Sequence, residues 1–280
     1  MNNLNIFGEW INNIDKLQNI YTNNKPYPHI IIDDFLNKKF VEEIYNEFPE
    51  NYDDWHIYNN PIEVKLAYNK IDNLGYNLQN IFKILSSDNS INLFSKLSNI
   101  NDLENDPTLH GAGLHSHPRN GRLGLHLDYE KHPILINKQR KLNIILYLSK
   151  NWKEEWNGET QLWNSDVTKC IVKSQVKFNR AVIFNTNELS WHGVPEKIIC
   201  PLGIYRKSLA FYYISPLKSD KNSNKVGANN IGYREKATFI NRPNDTNLEK
   251  IIPLYKIRPF RRITKKDIDY NWPEWNAELY

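Results

Sequence analysis

The sequence predicts a mainly β fold with flanking helices, and three observations carry that prediction. From about Leu109 to Ile214, short runs of β-branched and aromatic residues are separated by Gly, Pro, Asn and Asp. That is the punctuation of an all-β sandwich or jelly roll. The first hundred residues instead repeat their apolar positions mostly at helical spacing. Within the β region, Leu123, Leu125 and Leu127 alternate with Arg122, Gly124, His126 and Asp128. A period of two marks a half-buried strand and places His126 and Asp128 on one face.

Taken in order, Ile6, Trp10, Ile14, Leu17 and Tyr21 space a short amphipathic helix over residues 5–21, which Lys25-Pro26-Tyr27-Pro28 interrupts. His29 to Asp33 is a short apolar strand. Asn37 is placed to cap a helix from Lys38 to Phe48, with Phe40, Val41, Ile44, Tyr45 and Phe48 inward and Pro49 ending it. Residues 50–75 read as irregular and polar. Two further helices are expected over about 77–86 and 90–99. Strands are then expected at 109–117, 122–128, 140–149, 159–164, 168–173, 180–185, 188–193 and 205–214. Helices leading and strands following set the helices against one face of the sheets. The division that results is a helical region over 1–105 packing on a β core over 106–216, followed by a loop and C-terminal extension over 217–280, all within one domain. Lys218–Asn230 reads as a mobile loop. The aromatics of the tail (Tyr233, Phe239, Tyr255, Phe260, Trp272, Trp275) suggest that it packs on the core. There is no internal repeat.

Composition excludes several classes. Of 280 residues, 40% are hydrophobic and 24% charged, which is globular. The net charge of +4 owes much to Arg258, Arg261, Arg262, Lys265 and Lys266. That is too sparse to signal nucleic-acid binding. Cys170 and Cys200 form no CxxC pair and no zinc spacing, as in a reducing compartment. The N-terminus lacks the basic and apolar regions of a signal peptide, and no apolar run approaches membrane-spanning length. A soluble, cytoplasmic protein is expected.

His126-x-Asp128 alone would be a common coincidence. His192, 66 positions on and at the end of a strand pattern, gives it a partner. Two histidines and one carboxylate on one metal face leave three positions open, the facial triad of non-haem Fe(II) oxygenases. Fourteen residues after His192 comes Arg206, within Tyr205-Arg206-Lys207-Ser208. Arg206 and Ser208 share a face, with Leu209, Phe211 and Tyr213 opposite. A guanidinium clamps a carboxylate bidentately, and a hydroxyl two residues on can bind the same group. Tyr147 could supply another hydrogen bond. The arrangement suits 2-oxoglutarate, whose 2-oxo acid end chelates iron while its other carboxylate meets Arg206.

With these residues in place the chain resembles the Fe(II)/2-oxoglutarate-dependent dioxygenases, in their prolyl-4-hydroxylase-like branch. The resemblance rests on His126-x-Asp128, His192 and Arg206-x-Ser208. The runs Arg140–Leu148, Gly158-Glu159, Asn179–Phe184 and Pro26–Leu36 support it, so that it covers roughly residues 26–214. It implies a double-stranded β-helix (jelly-roll) core, iron at His126, Asp128 and His192, and 2-oxoglutarate at Arg206, with Ser208 and Tyr147 as further cosubstrate contacts. Dioxygen is the co-reactant, and ascorbate an accompanying reductant that the resemblance allows. The Pro195–Gly203 loop makes the gap to Arg206 a few residues longer than that branch usually shows, which leaves Lys207 as the alternative clamp.

The resemblance further implies hydroxylation of an unactivated C–H bond in a peptidyl or free amino acid such as proline, with release of succinate and CO2. The carboxylate at Asp128 disfavours halogenation, for which related enzymes leave that position empty. The same chemistry on a small molecule or sugar is a second reading. A cupin-like metal module built on His115 and His117 is a third, although it leaves Arg206-x-Ser208 without a purpose. A nucleic-acid demethylase is a fourth, suggested only by the basic tail. By default His115 and His117 line the pocket mouth or face solvent, Arg180 pairs at the surface, and His132 is structural.

Overall fold

The computed structural model describes residues 3–59, 62–217, 234, 237–240 and 242. The expected Lys218–Asn230 loop, and all of the tail except Arg234, 237–240 and Arg242, lie outside the described residues. In chain order the helices and strands are α1 (Ile14–Asn23), β1 (His29–Ile32), α2 (Lys38–Asn46), β2 (His56–Asn59), β3 (Glu63–Tyr68), α3 (Tyr76–Leu85), α4 (Asp88–Ser98), β4 (Glu104–Asn105), β5 (Gly113–His117), β6 (Arg122–Leu127), β7 (Lys138–Tyr147), β8 (Thr160–Trp163), β9 (Cys170–Ser174), β10 (Ala181–Asn185), β11 (His192–Val194), β12 (Arg206–Pro216) and β13 (Thr238–Phe239). The strand order β1-β10-β7-β12-β5-β3-β6-β11-β8-β9 is a nearly closed antiparallel barrel, the jelly roll. No helix among the described residues is long and apolar enough to cross a membrane.

Two layers follow from the alternation of the strands. On β12, Leu209, Phe211 and Tyr213 point outward and join Leu142, Ile144 and Leu146 of β7 and Ile183 of β10 in the main core. The helices cover that face, α2 through Val41 and Ile44, α3 through Leu78 and Ile81, and α4 through Phe94 and Leu97. Fully burying each such side chain contributes roughly 1.5–3 kcal/mol relative to exposure. The alternate residues Arg206, Ser208, Ala210 and Tyr212 face a cavity inside the barrel. Asn37 caps α2 as its position predicts, its Oδ1 accepting from Phe40 N at 2.8 Å.

Three local departures from the sequence pattern matter. Residues 50–75 are not irregular throughout, because β2 and β3 form a hairpin there. β3 pairs with both β5 and β6 and so bridges the two halves of the barrel. Its Glu63 and Lys65 interrupt an otherwise apolar run, which hides the strand in a hydropathy reading. The first helix, expected over 5–21, starts as two 3-10 turns and becomes α-helical only at Ile14. The strict alternation expected over 122–128 also breaks. Three steps along β6, from Leu123 to His126, oppose two along β11, from His192 to Val194. This bulge keeps His126 and Asp128 on the cavity face but moves Leu123 onto it as well.

Gly193 sits opposite the bulge, where a Cβ would stand 2.8 Å from the carbonyl oxygens of both Leu123 and Gly124. Gly193→Ala should therefore prise β11 from β6 and destabilise the fold by about 1–3 kcal/mol. A denaturant midpoint unchanged from wild type would refute the close approach.

Candidate metal centre and cosubstrate pocket

His126 on β6 and His192 on β11 are direct partners in the antiparallel register. Asp128 follows β6 by one residue. Ligand atoms from the three residues all lie within 4.8 Å of one another, the metal-capable cluster among the described residues. His126 Nε2 is 3.6 Å from Asp128 Oδ1, and His192 Nε2 is 3.6 Å from Asp128 Oδ2. All three residues are buried. The backbone fixes both rings, His126 Nδ1 meeting Gly124 O at 2.9 Å and His192 Nδ1 meeting Ser190 O at 2.8 Å. A ring nitrogen beside a carbonyl oxygen must carry the proton, so each Nε2 presents its lone pair inward. Phe184 packs on His192, and Phe239 of β13 stacks on His126 with ring centroids 5.2 Å apart.

The charges are set for a cation. Burial pushes Asp128 up, but Arg140 and the two histidines outweigh it and hold the carboxyl well below its usual range. Arg140 Nη1 lies 3.1 Å from Asp128 Oδ1, and Asn143 Nδ2 donates to Oδ2 at 2.6 Å. Arg140 is itself held between the rings of Tyr129 and Tyr212, at 4.0 and 3.6 Å from their centroids. Burial, then the neighbouring His126, pushes His192 down to about 4, which favours the neutral imidazole a metal needs.

The triad opens into a cavity of ≈ 350 Å³ that Arg206 and Ser208 also line. Arg206 is 2% exposed. Its Nε donates to Gly158 O at 2.6 Å, Nη2 to Thr160 Oγ1 at 3.2 Å and Nη1 to Ser208 Oγ at 3.5 Å. Among the described residues no carboxylate lies within ion-pair distance of its guanidinium, although burying an unpaired charge is costly. Tyr147 stands behind it, with the guanidinium 4.9 Å from the ring centroid. The Tyr147 hydroxyl donates to Thr160 Oγ1 at 2.7 Å and lies 3.1 Å from Ser174 O. Thr160 reaches the cavity and Tyr147 is not among its lining residues. Lys207 points away and pairs with Glu50. His115 and His117 line the cavity but join no metal-capable cluster among the described residues. Arg180 pairs with Asp33, and His132 with Asp106.

Residues 112–214 match the family described as the 2OG-Fe(II) oxygenase superfamily. This segment is a 2OG-Fe(II) oxygenase domain. The Fe(II)- and 2-oxoglutarate-dependent dioxygenase domain thus spans β5 to β12, the strands that carry His126, His192 and Arg206. A search of curated proteins finds no match. Among solved structures, the chain resembles a Trichoplax adhaerens prolyl hydroxylase in complex with a hypoxia inducible factor peptide fragment. That likeness is at 16% identity and TM-score 0.51, over 76% of this chain and 96% of that one. It resembles a Pseudomonas putida prolyl-4-hydroxylase at 14% identity and TM-score 0.51, over 74% of this chain and 100% of that one. A Phytophthora capsici prolyl 4-hydroxylase aligns at 22% identity and TM-score 0.49, over 73% of this chain and 64% of that chain's length. At these identities the first two likenesses are of fold alone.

Sequence reasoning passed over Arg140 and Asn143 as partners of Asp128. Strict alternation would put Arg140 on the core face with Leu142. A bulge re-aims it, since two steps of β7, Arg140 to Leu142, oppose one step of β12, Ile214 to Tyr213. Asn143, the polar interruption of the apolar run Leu142–Leu146, was the available signal; Arg140 sits among Lys138, Gln139 and Lys141 and gave none. Arg140→Met should weaken metal binding about 10- to 100-fold, as loss of an outer partner does. Without Arg140 the Asp128 carboxyl rises, protons compete better, and binding should be lost at a higher pH than in wild type. Mn(II) titrations across that range check this, and an unchanged affinity and pH profile would refute the role.

Proposed function

We propose that His126, Asp128 and His192 hold the Fe(II), that Arg206 and Ser208 bind the distal carboxylate of 2-oxoglutarate, and that the enzyme hydroxylates an unactivated C–H bond. The preferred substrate is a peptidyl or free amino acid such as proline. The observation that carries this reading is the pairing, within one cavity, of a three-ligand nitrogen and oxygen cluster with a buried guanidinium that has no carboxylate partner among the described residues. In this reading the helical region, the β core and the C-terminal extension act as one catalytic domain, since β1 and β3 complete the barrel and β13 pairs with β6.

The donor set fits the metal, with two imidazole nitrogens and a carboxylate on one face and room opposite. When bound, iron and 2-oxoglutarate supply oxidative decarboxylation coupled to oxygen insertion, releasing succinate and CO2. The protein residues prepare for it. Gly124 O and Ser190 O fix the tautomers, Arg140 and Asn143 keep Asp128 ionised and oriented, and Phe184 and Phe239 pack against the ligand rings. Thr160 and Tyr147 form a relay that positions Arg206, so that Tyr147 would act on the cosubstrate through Thr160 as well as through the guanidinium.

A peptidyl substrate is supported by the Trichoplax adhaerens protein of similar fold, which is in complex with a peptide fragment. A small molecule or sugar is favoured by the modest cavity of ≈ 350 Å³, near the lower end for small-ligand pockets. Succinate release measured with Fe(II) and 2-oxoglutarate, against proline-containing peptides, free amino acids, metabolites and glycosides, separates the two. Turnover should fall to background in His126→Ala and Asp128→Ala. Arg206→Gln should weaken 2-oxoglutarate binding about 30-fold or more, the consequence of breaking a buried charge pair. Retained turnover without His126 and Asp128 would overturn the assignment.

A further inference from the structure

His117 ends β5 and is 3% exposed, yet neither of its ring nitrogens has a hydrogen-bond partner among the described residues. The other histidines buried to this degree are held. His29 meets Tyr27 O, His126 meets Gly124 O, His132 meets Asp106, and His192 meets Ser190 O. Buried polar side chains are overwhelmingly satisfied, so an imidazole left bare on both nitrogens points to a missing partner. His117 lines the same cavity as Arg206. The register of β5 on β12 sets the two residues directly opposite each other, with His115 opposite Ser208. Cross-strand partners carry their side chains on the same face of the sheet. One polar group entering this corner would therefore meet both Arg206 and His117.

We propose that His117 is a specificity-determining residue of the cosubstrate subsite, donating its N–H to the distal carboxylate that Arg206 pairs with. This rests on the reading of Arg206 given above and adds a second donor to it. Arg206 alone offers charge. His117 adds a directional hydrogen bond, which a terminal carboxylate accepts and a terminal methyl group cannot. Burial first, then the positive charge of Arg206, holds the His117 imidazole far below its ordinary pKa. A neutral ring beside the guanidinium adds no repulsion and keeps one donor and one acceptor. Its absence from the metal-capable cluster argues against a ligand role.

Calorimetric titration of the full-length protein, loaded with Mn(II) under anaerobic conditions, tests this with two acids. 2-Oxoglutarate carries the distal carboxylate, and 2-oxopentanoate ends in a methyl group in its place. His117→Phe keeps a planar ring without the donor, and His117→Gln restores one. The expected result is about a tenfold or greater loss of 2-oxoglutarate affinity in His117→Phe, partial recovery in His117→Gln, and 2-oxopentanoate and Mn(II) affinities within about twofold of wild type. Equal losses for both acids would make His117 a packing residue, loss of Mn(II) would make it a ligand, and unchanged 2-oxoglutarate affinity would leave Arg206 to act without it. Each of these overturns the proposal. Should wild-type protein loaded with Mn(II) fail to bind 2-oxoglutarate at all, the reading of Arg206 falls and His117 with it, an outcome distinct from equal binding by wild type and His117→Phe.

Discussion

The site depends on one backbone pairing, that of His126 with His192 across β6 and β11. Residues 66 positions apart become neighbours because these two short strands hydrogen-bond in one register. A slip of one residue would turn an imidazole to the opposite face. The surroundings secure the register. The β6 bulge and Gly193 let the backbones approach, while Gly124 O and Ser190 O lock the ring tautomers. Phe184 and Phe239 then pack against the two rings, leaving the Nε2 atoms as the polar surface presented to Asp128.

Two kinds of buried charge lie on the cavity side of the barrel. Asp128 is compensated by Arg140 and Asn143, an arrangement that leaves the carboxylate ionised and oriented. Among the described residues Arg206 has only neutral acceptors, a carbonyl and two hydroxyls. A compensated anion is suited to stay fixed through a reaction, whereas an uncompensated cation is suited to a partner that comes and goes. The same strand supports both faces of this design. On β12, alternate side chains either pack beneath the helices or line the cavity, so the scaffold that binds charge is braced by the main apolar core.

Much of this was legible in the residues. The period of two on β12 placed Arg206 and Ser208 together and set Leu209, Phe211 and Tyr213 opposite. Asn37 announced the start of α2. What escaped notice shares one physical origin, local backbone irregularity and pairing that depends on distant strands. The bulge at Arg140 to Leu142 reverses the face of Arg140 without leaving a mark in the hydropathy pattern. The bulge on β6 breaks the alternation at Gly124, where a Cβ would stand 2.7 Å from Ile62 Cγ2. β3 carries Glu63 and Lys65, paired to each other at 2.8 Å, and their charges masked a strand whose other residues are mostly buried.

β3 has a consequence for how such a protein can diversify. It is hydrogen-bonded on one side to β5, which ends at His117, and on the other to β6, which carries His126. The hairpin that contributes His56, Tyr58 and Lys65 to the cavity wall is thus sewn to both chemical edges of the site. A descendant of this chain could vary the side chains of that wall while keeping the backbone pairing of β3. It could not replace the hairpin as a cassette, because removing β3 would part the two halves of the barrel along the seam where its reactive residues meet.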